Sequence, residues 1–224
     1  MALVRSIERR RGGVVAITID DDEPIEIPLE TVLEHGLHEG SCLLIEEWVA
    51  IRDQSRYRLA VRRALEFLAR RRRTRSELQK QLLKAFSEAE ANGALARIDE
   101  LGYVDDESWA KDYVTTIRAR GRGRSLLARE LSQHGIDDEA QESALAEHDD
   151  RGEALAIARK RVRSLQRLAP DVRDRRLYAF LRRRGFSNDT TKQAMDEALR
   201  ANDVTSDLAV GSDDIEALVE SELG

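Results

Sequence analysis

Hydrophobic positions along this chain follow two periods, and the change between them divides it. Near the N-terminus Val14, Val15, Ala16, Ile17, Thr18 and Ile19 form a β-branched run, and Ile25-Glu26-Ile27-Pro28-Leu29 alternates at period two with its apolar side chains on one face. The intervening Asp20-Asp21-Asp22-Glu23-Pro24 predicts a hairpin whose acidic turn stays in water, with Pro28, which lacks a donor, at an edge. A short helix over 30–35 should stop at Gly36, with a second turn at Gly40. A two-stranded hairpin is marginal alone, so this one should pack on the helices that follow.

From Leu43 the period becomes helical. Ala60, Ala64, Leu65, Leu68 and Ala69 recur at steps of three and four, which marks one buried stripe. That helix ends in Arg70-Arg71-Arg72-Arg73. Thr74-Arg75-Ser76-Glu77 then has the capping-box pattern, with Leu78, Leu82 and Leu83 on the core side of the helix it starts. Ser87-Glu88-Ala89-Glu90 has the same pattern, and Ala94, Ile98 and Leu101 carry a third helix to Gly102. The three-helix unit then recurs. Trp109, Ala110, Tyr113, Val114 and Ile117 define one helix, Leu126, Leu127 and Leu131 a second, and Ala140, Ala144 and Leu145 a third. A further copy runs through Ala154, Leu155, Ala158 and Val162, then Leu177, Phe180 and Leu181, then Ala194, Met195 and Leu199.

Leu127, Leu131, Gly135 and Ile136 superimpose on Leu177, Leu181, Gly185 and Phe186 at a spacing of 50 residues. The first copy fits more loosely, because Phe86 arrives one residue early and no glycine precedes it. Repeats of this length predict an all-α chain of stacked helical units, each burying its open face on the next. The expected divisions are 1–57 for the β-hairpin extension and the start of the first long helix, 58–107, 108–150 and 151–200 for three repeats, and 201–224 for an acidic tail. The tail's weak apolar spacing predicts disorder, or helix only at its end.

Only 4% of residues are aromatic, so the core must be mostly Leu, Ala, Ile and Val. No run is apolar enough to span a bilayer, and the N-terminus lacks the apolar region of a secretory signal. With the single cysteine Cys42, these features predict a cytoplasmic protein without disulfides. The net charge of -6 conceals an asymmetry: residues 1–57 carry net -6, 58–136 net +6, 137–200 net +1 and 201–224 net -7. A basic middle between acidic ends suggests a polyanionic or acidic partner.

No catalytic constellation stands out, and no enzyme activity or cofactor is expected. Gly121-Arg122-Gly123 has no strand before it, as a phosphate loop would require. His35, His38 and Cys42 offer three ligand types within eight residues but no fourth ligand nearby, so polar surface is the better reading and no metal is expected. The acid pairs Asp105-Asp106 and Asp149-Asp150 fall at predicted helix starts and suit capping better than acid–base chemistry. The informative residues are arginines: Arg70 to Arg73 with Arg75; Arg118, Arg120, Arg122 and Arg124; and Arg182 to Arg184. Each cluster lies at the link into, or the end of, a unit's second helix. The planar fork of arginine pairs bidentately with carboxylate or phosphate. Too few acids lie beside the first two clusters in sequence to pair them, which favours binding over a solvated face. For Arg159, Lys160, Arg161 and Arg163 a solvated face is at least as good a reading.

Three segments together resemble one family. Arg70-Arg71-Arg72-Arg73-Thr74-Arg75-Ser76-Glu77-Leu78 through Leu82-Leu83, Leu101-Gly102-Tyr103-Val104-Asp105-Asp106-Glu107-Ser108-Trp109-Ala110, and Arg120-Gly121-Arg122-Gly123-Arg124-Ser125-Leu126 with Glu130-Leu131 and Gly135-Ile136 are similar to RecX regulatory proteins, over about residues 58–200. Ala85 before Phe86, Arg124 where proline is common, and the acidic tail depart from the pattern. The resemblance implies tandem three-helix repeats in an elongated, curved solenoid that lies in the groove of the RecA–single-stranded-DNA filament. It implies inhibition of filament extension, ATP hydrolysis, strand exchange and co-protease function, by a monomer with no membrane role. The filament-binding residues would be Arg70, Arg71, Arg72, Arg75, Arg118, Arg120, Arg122, Arg124, Arg182 and Arg183. The alternative is a direct nucleic-acid binder acting without RecA, against which stand the negative net charge and the few aromatics available for stacking. The acidic tail is expected to compete for the arginine face.

Overall fold

The computed structural model describes residues 1–116 and 119–202. Ile117, Arg118 and the acidic tail beyond residue 202 lie outside the described residues. The chain forms two compact units, Met1–Asp106 and Glu107–Gly224.

In the first unit, β1 (Ala2–Arg9), β2 (Val14–Ile19), β3 (Ile25–Pro28) and β4 (Cys42–Leu43) form a sheet in the order β3-β2-β1-β4. The expected hairpin of β2 and β3 is present, paired antiparallel with Val15 opposite Ile27 and Ile17 opposite Ile25. It sits, however, within a four-stranded sheet. The added strand β1 has Ala2 and Val4 on the buried face, after which the register shifts between Val4 and Ser6, and Ile7 takes over. An extra residue inserted at this bulge switches the parity of the inward positions, so β1 shows no sustained period-two signal. Val15, Ile17, Ile19 and Ile27 pack with Val32 of α1 (Leu29–Glu34), and with Trp48 and Ile51 of α2 (Ile45–Arg70). The sheet therefore does rest on the following helix.

At 26 residues α2 is about 39 Å long, enough to serve two cores. Its first turns cover the sheet. Farther along, Ala60 and Ala64 join Leu78 and Leu82 of α3 (Arg75–Leu82) and Ala91, Ala94, Leu95 and Ile98 of α4 (Glu88–Glu100). Alanine on the facing stripes lets these helices approach closely, with leucine filling the remaining space. Caps fix where each helix begins. The Thr74 side chain accepts from the Glu77 amide at 3.2 Å, and Ser87 and Glu90 form a reciprocal capping box.

The second unit contains α5 from Asp106–Thr115, α6 (Arg124–Gln133) and α7 (Asp138–Leu145) around one core. A second core gathers α8 (Asp150–Leu165), α9 (Pro170–Arg183) and α10, residues 188–202. The internal repeat is visible in atomic detail. Leu127, Leu131, Leu177 and Leu181 are fully buried, and Gly135 and Gly185 both take positive φ. Ile136 and Phe186 then donate backbone bonds to Leu131 and Leu181, five residues back, the Schellman closure that a left-handed glycine permits. Phe86 donates to Leu82, only four residues back, which is the one-residue shortening of the first copy.

Candidate interaction surface

The arginine clusters occupy the exposed links between helices, and the backbone of those links is held in place by distant acids. The amide of Arg75, first residue of α3, donates to Asp106 Oδ1 at 2.9 Å, and the amide of Arg124, first residue of α6, donates to Asp150 Oδ1 at 2.6 Å. The second helices of the first two repeats are thus each capped by an aspartate at the start of the helix that opens the next repeat. At α6 this replaces the side-chain cap that its N-cap residue, Gly123, cannot supply. Asp149 caps α8 itself, accepting from the Gly152 amide at 2.9 Å. Asp106, Asp149 and Asp150 therefore serve as caps.

The Arg120–Arg124 segment is shaped by its glycines. A Cβ on Gly121 would stand 2.8 Å from Ile157 Cγ2, and one on Gly123 would stand 2.5 Å from both C and O of Gly185. Only hydrogen fits at these contacts. The link consequently lies directly on the C-terminal turn of α9, where the Gly123 amide donates to Arg184 O at 2.8 Å and the Ser125 amide to Gly185 O at 3.3 Å. Gly121 N donates to Glu153 Oε2 at 2.6 Å.

The guanidinium groups differ in whether an acid or a carbonyl holds them. Arg71 pairs with Glu77 at 2.9 Å and Arg75 with Asp99 at 2.9 Å. Arg122 pairs with Glu130, which also accepts from the Tyr113 hydroxyl at 3.0 Å. Burial works to depress the Arg122 guanidinium, but the bond from it to Glu130 and the charge on that carboxylate outweigh burial and hold it above its ordinary value. Burial first, then Glu130, raises the Tyr113 phenol. Arg124 donates to Leu145 O at 2.6 Å, and Arg182 to Phe186 O at 2.5 Å. Arg184 lies over the Phe180 ring at 5.3 Å. Arg70, Arg120 and Arg183 are exposed and carry no acidic partner among the described residues; Arg72 is exposed too. Arg118 lies outside the described residues. The few acids near the clusters, Glu77 and Glu130, are taken up by Arg71 and Arg122, and the distant Asp99 holds Arg75.

One basic residue escapes a reading based on clusters. Arg129 stands alone in the sequence, yet with Ser125, Leu126, Arg182, Arg183, Gly185 and Phe186 it lines a cleft of about 360 Å³. The available signal is its i,i+4 spacing from Ser125 on one face of α6. His35, His38 and Cys42 do not form a metal site; among the described residues no three His, Cys, Asp or Glu side chains gather as one would need. No helix among the described residues is long and apolar enough to cross a membrane.

The second and third three-helix domains of RecX match residues 105–145 and 149–195. A regulatory protein RecX from Prosthecochloris aestuarii is 33% identical over 144 residues, which cover 63% of this chain and 95% of that protein. One from Mycobacterium ulcerans is 38% identical over 141 residues, covering 60% of this chain and 82% of that protein, and one from Bacillus subtilis is 28% identical over 203 residues, covering 88% and 77%. A crystal structure of a regulatory protein RecX superimposes with a TM-score of 0.65 at 23% identity, covering 88% of this chain and all of that one. RecX from Lactobacillus salivarius gives 0.59 at 22% identity, covering 64% and 96%. Repeats, capped links and relatives agree, and the chain belongs to the RecX family.

Proposed function

We propose that this protein is a non-enzymatic regulator that binds the RecA–single-stranded-DNA filament and modulates it, mainly by inhibiting extension, ATP hydrolysis, strand exchange and co-protease activity. It acts as a cytoplasmic monomer in recombinational repair and the SOS response. The observation that carries this reading is the display of arginines on links that the packing holds rigid. Arg70, Arg120 and Arg183 are exposed; Arg70 lies shortly before the capped start of α3, and Arg120 and Arg183 lie beside the glycine contact between the α6 link and the end of α9. Exposed arginines on each unit suit a grooved polyanion carrying nucleic acid and acidic protein.

The test is ATP hydrolysis by the cognate RecA on single-stranded DNA as the protein is titrated in. Inhibition is expected well below a one-to-one ratio to RecA. The R70E/R120E variant changes exposed side chains only, so it should keep the wild-type melting curve while needing several-fold more protein for half inhibition. Full inhibition by that variant would remove the arginines from the mechanism. Unchanged hydrolysis with wild-type protein, alongside tight and steeply salt-dependent binding to bare DNA, would favour the direct nucleic-acid binder.

A further inference from the structure

The cleft between the first turns of α6 and the end of α9 has a composition unlike the other arginine-bearing surfaces. Its walls contribute Arg129, Arg182, Arg183 and Ser125, and no carboxylate-bearing residue lines it. We propose that this cleft is a phosphate-binding site that grips the backbone of a nucleic-acid single strand, with Arg129 and Arg183 as the principal donors. The inference rests on the filament reading for where the strand comes from, and goes beyond it in naming the residues and the chemistry they recognise.

The site is built by backbone proximity. Because Gly123 and Gly185 carry no Cβ, the start of α6 meets the turn after α9 closely enough for Ser125 N to donate to Gly185 O. That contact sets the Ser125–Arg129 face of α6 beside Arg182 and Arg183. Arg182 is fixed by its bond to Phe186 O. Arg129 and Arg183 have no acidic partner among the described residues, whereas Arg71, Arg75, Arg122, Arg159 and Arg173 each have one. Three like charges lining one small cleft repel one another, and a bound anion offsets that repulsion.

The surroundings choose between a phosphate and an acidic protein surface. Protein interfaces are centred on apolar or aromatic anchors that become buried. Among the described large hydrophobic residues of α5 to α10, only Tyr178 is exposed, at 37%. Phosphate binding needs no such anchor. It draws on charge and counterion release, and the forked guanidinium matches the phosphate oxygens.

The experiment uses the full chain and a fluorescein-labelled oligothymidylate, with binding followed by anisotropy across a potassium chloride series. R129A/R183A should bind at least tenfold more weakly at low salt. Its log–log salt dependence should be shallower by about 1.4, the share of two single-strand phosphate contacts. K160A/R163A removes the same charge from the exposed face of α8 and should bind nearly as wild type. Equal losses in both variants would reduce the effect to net charge and overturn the proposal, as would wild-type affinity in R129A/R183A or no measurable binding by wild type. Assaying RecA hydrolysis with the same preparations separates the two readings. If R129A/R183A keeps DNA affinity but loses inhibition, the cleft faces a protein carboxylate and the phosphate site is wrong while the regulatory role stands. If wild type does not inhibit but the DNA defect is confined to R129A/R183A, the phosphate site stands without the filament.

Discussion

Replacing Gly123 by alanine tests whether glycine contacts hold the arginine link against α9. Gly123 has φ -84° and ψ 161°, extended values open to any residue, so the substitution carries no conformational penalty of its own. Its whole effect comes from the new methyl, which would lie 2.5 Å from C and O of Gly185 and 2.6 Å from Phe186 N. Those are backbone atoms and cannot rotate away. Reaching ordinary carbon contact at about 3.5 Å requires the start of α6 to withdraw from the α9 turn by roughly 1 Å. That displacement removes the Gly123–Arg184 and Ser125–Gly185 backbone bonds, at about 1 kcal/mol each, or leaves overpacking strain of roughly 1–3 kcal/mol. The expected loss is about 1–3 kcal/mol. G102A is the counterpart: its Cβ meets nothing within 4 Å, but φ is +68°, so the cost is the left-handed penalty of roughly 1–2 kcal/mol. Urea unfolding followed by circular dichroism gives both values, and hydrogen exchange should show lost protection at the start of α6 and the end of α9. A G123A protein as stable as wild type, with those amides still protected, would refute the reasoning.

Two further outcomes follow from the ion pairs. Burial works to raise the Glu90 carboxyl, but hydrogen bonds from Arg56 and Ser87 and the charge of Arg56 outweigh it and lower the group below its ordinary 4.5. Its contribution is therefore complete above 4.5 and lost as pH falls through the lower folded value, so the gap in melting temperature between wild type and E90Q should close below that pH; a constant gap down to pH 3 would contradict this. In E130A the Arg122 guanidinium and the Tyr113 hydroxyl lose their shared acceptor in a site where Arg122 and Glu130 are 28% and 20% exposed, costing about 1–3 kcal/mol. The Tyr113 phenol should also titrate lower than in wild type, since only burial then raises it, and an unmoved NMR titration would reject the pairing.

The legible parts of this molecule are those written over a few consecutive residues. Thr74 with Glu77, Ser87 with Glu90, and Asp149 with Gly152 are caps whose partners lie three residues away, and the leucine pairs of the repeats follow the helical period. The early arrival of Phe86 reads directly as a shorter turn. β1 was hidden because the bulge after Val4 breaks alternation, and β4 because two residues carry no period.

The arginines mark the division most clearly. Local sequence determined that they cluster on the links into and out of the second helices, because capping and periodicity place those links. Only the tertiary structure decided which are spent on the fold, through Glu77, Asp99, Glu130 and the Leu145 carbonyl, and which are left for a partner. It alone brought the isolated Arg129 to Arg182 and Arg183, through a contact between Gly123 and Gly185. Caps and helical stripes are decided within one or two turns of chain, whereas ion pairing and clefts depend on which distant backbones can touch, and here two missing Cβ atoms set that distance.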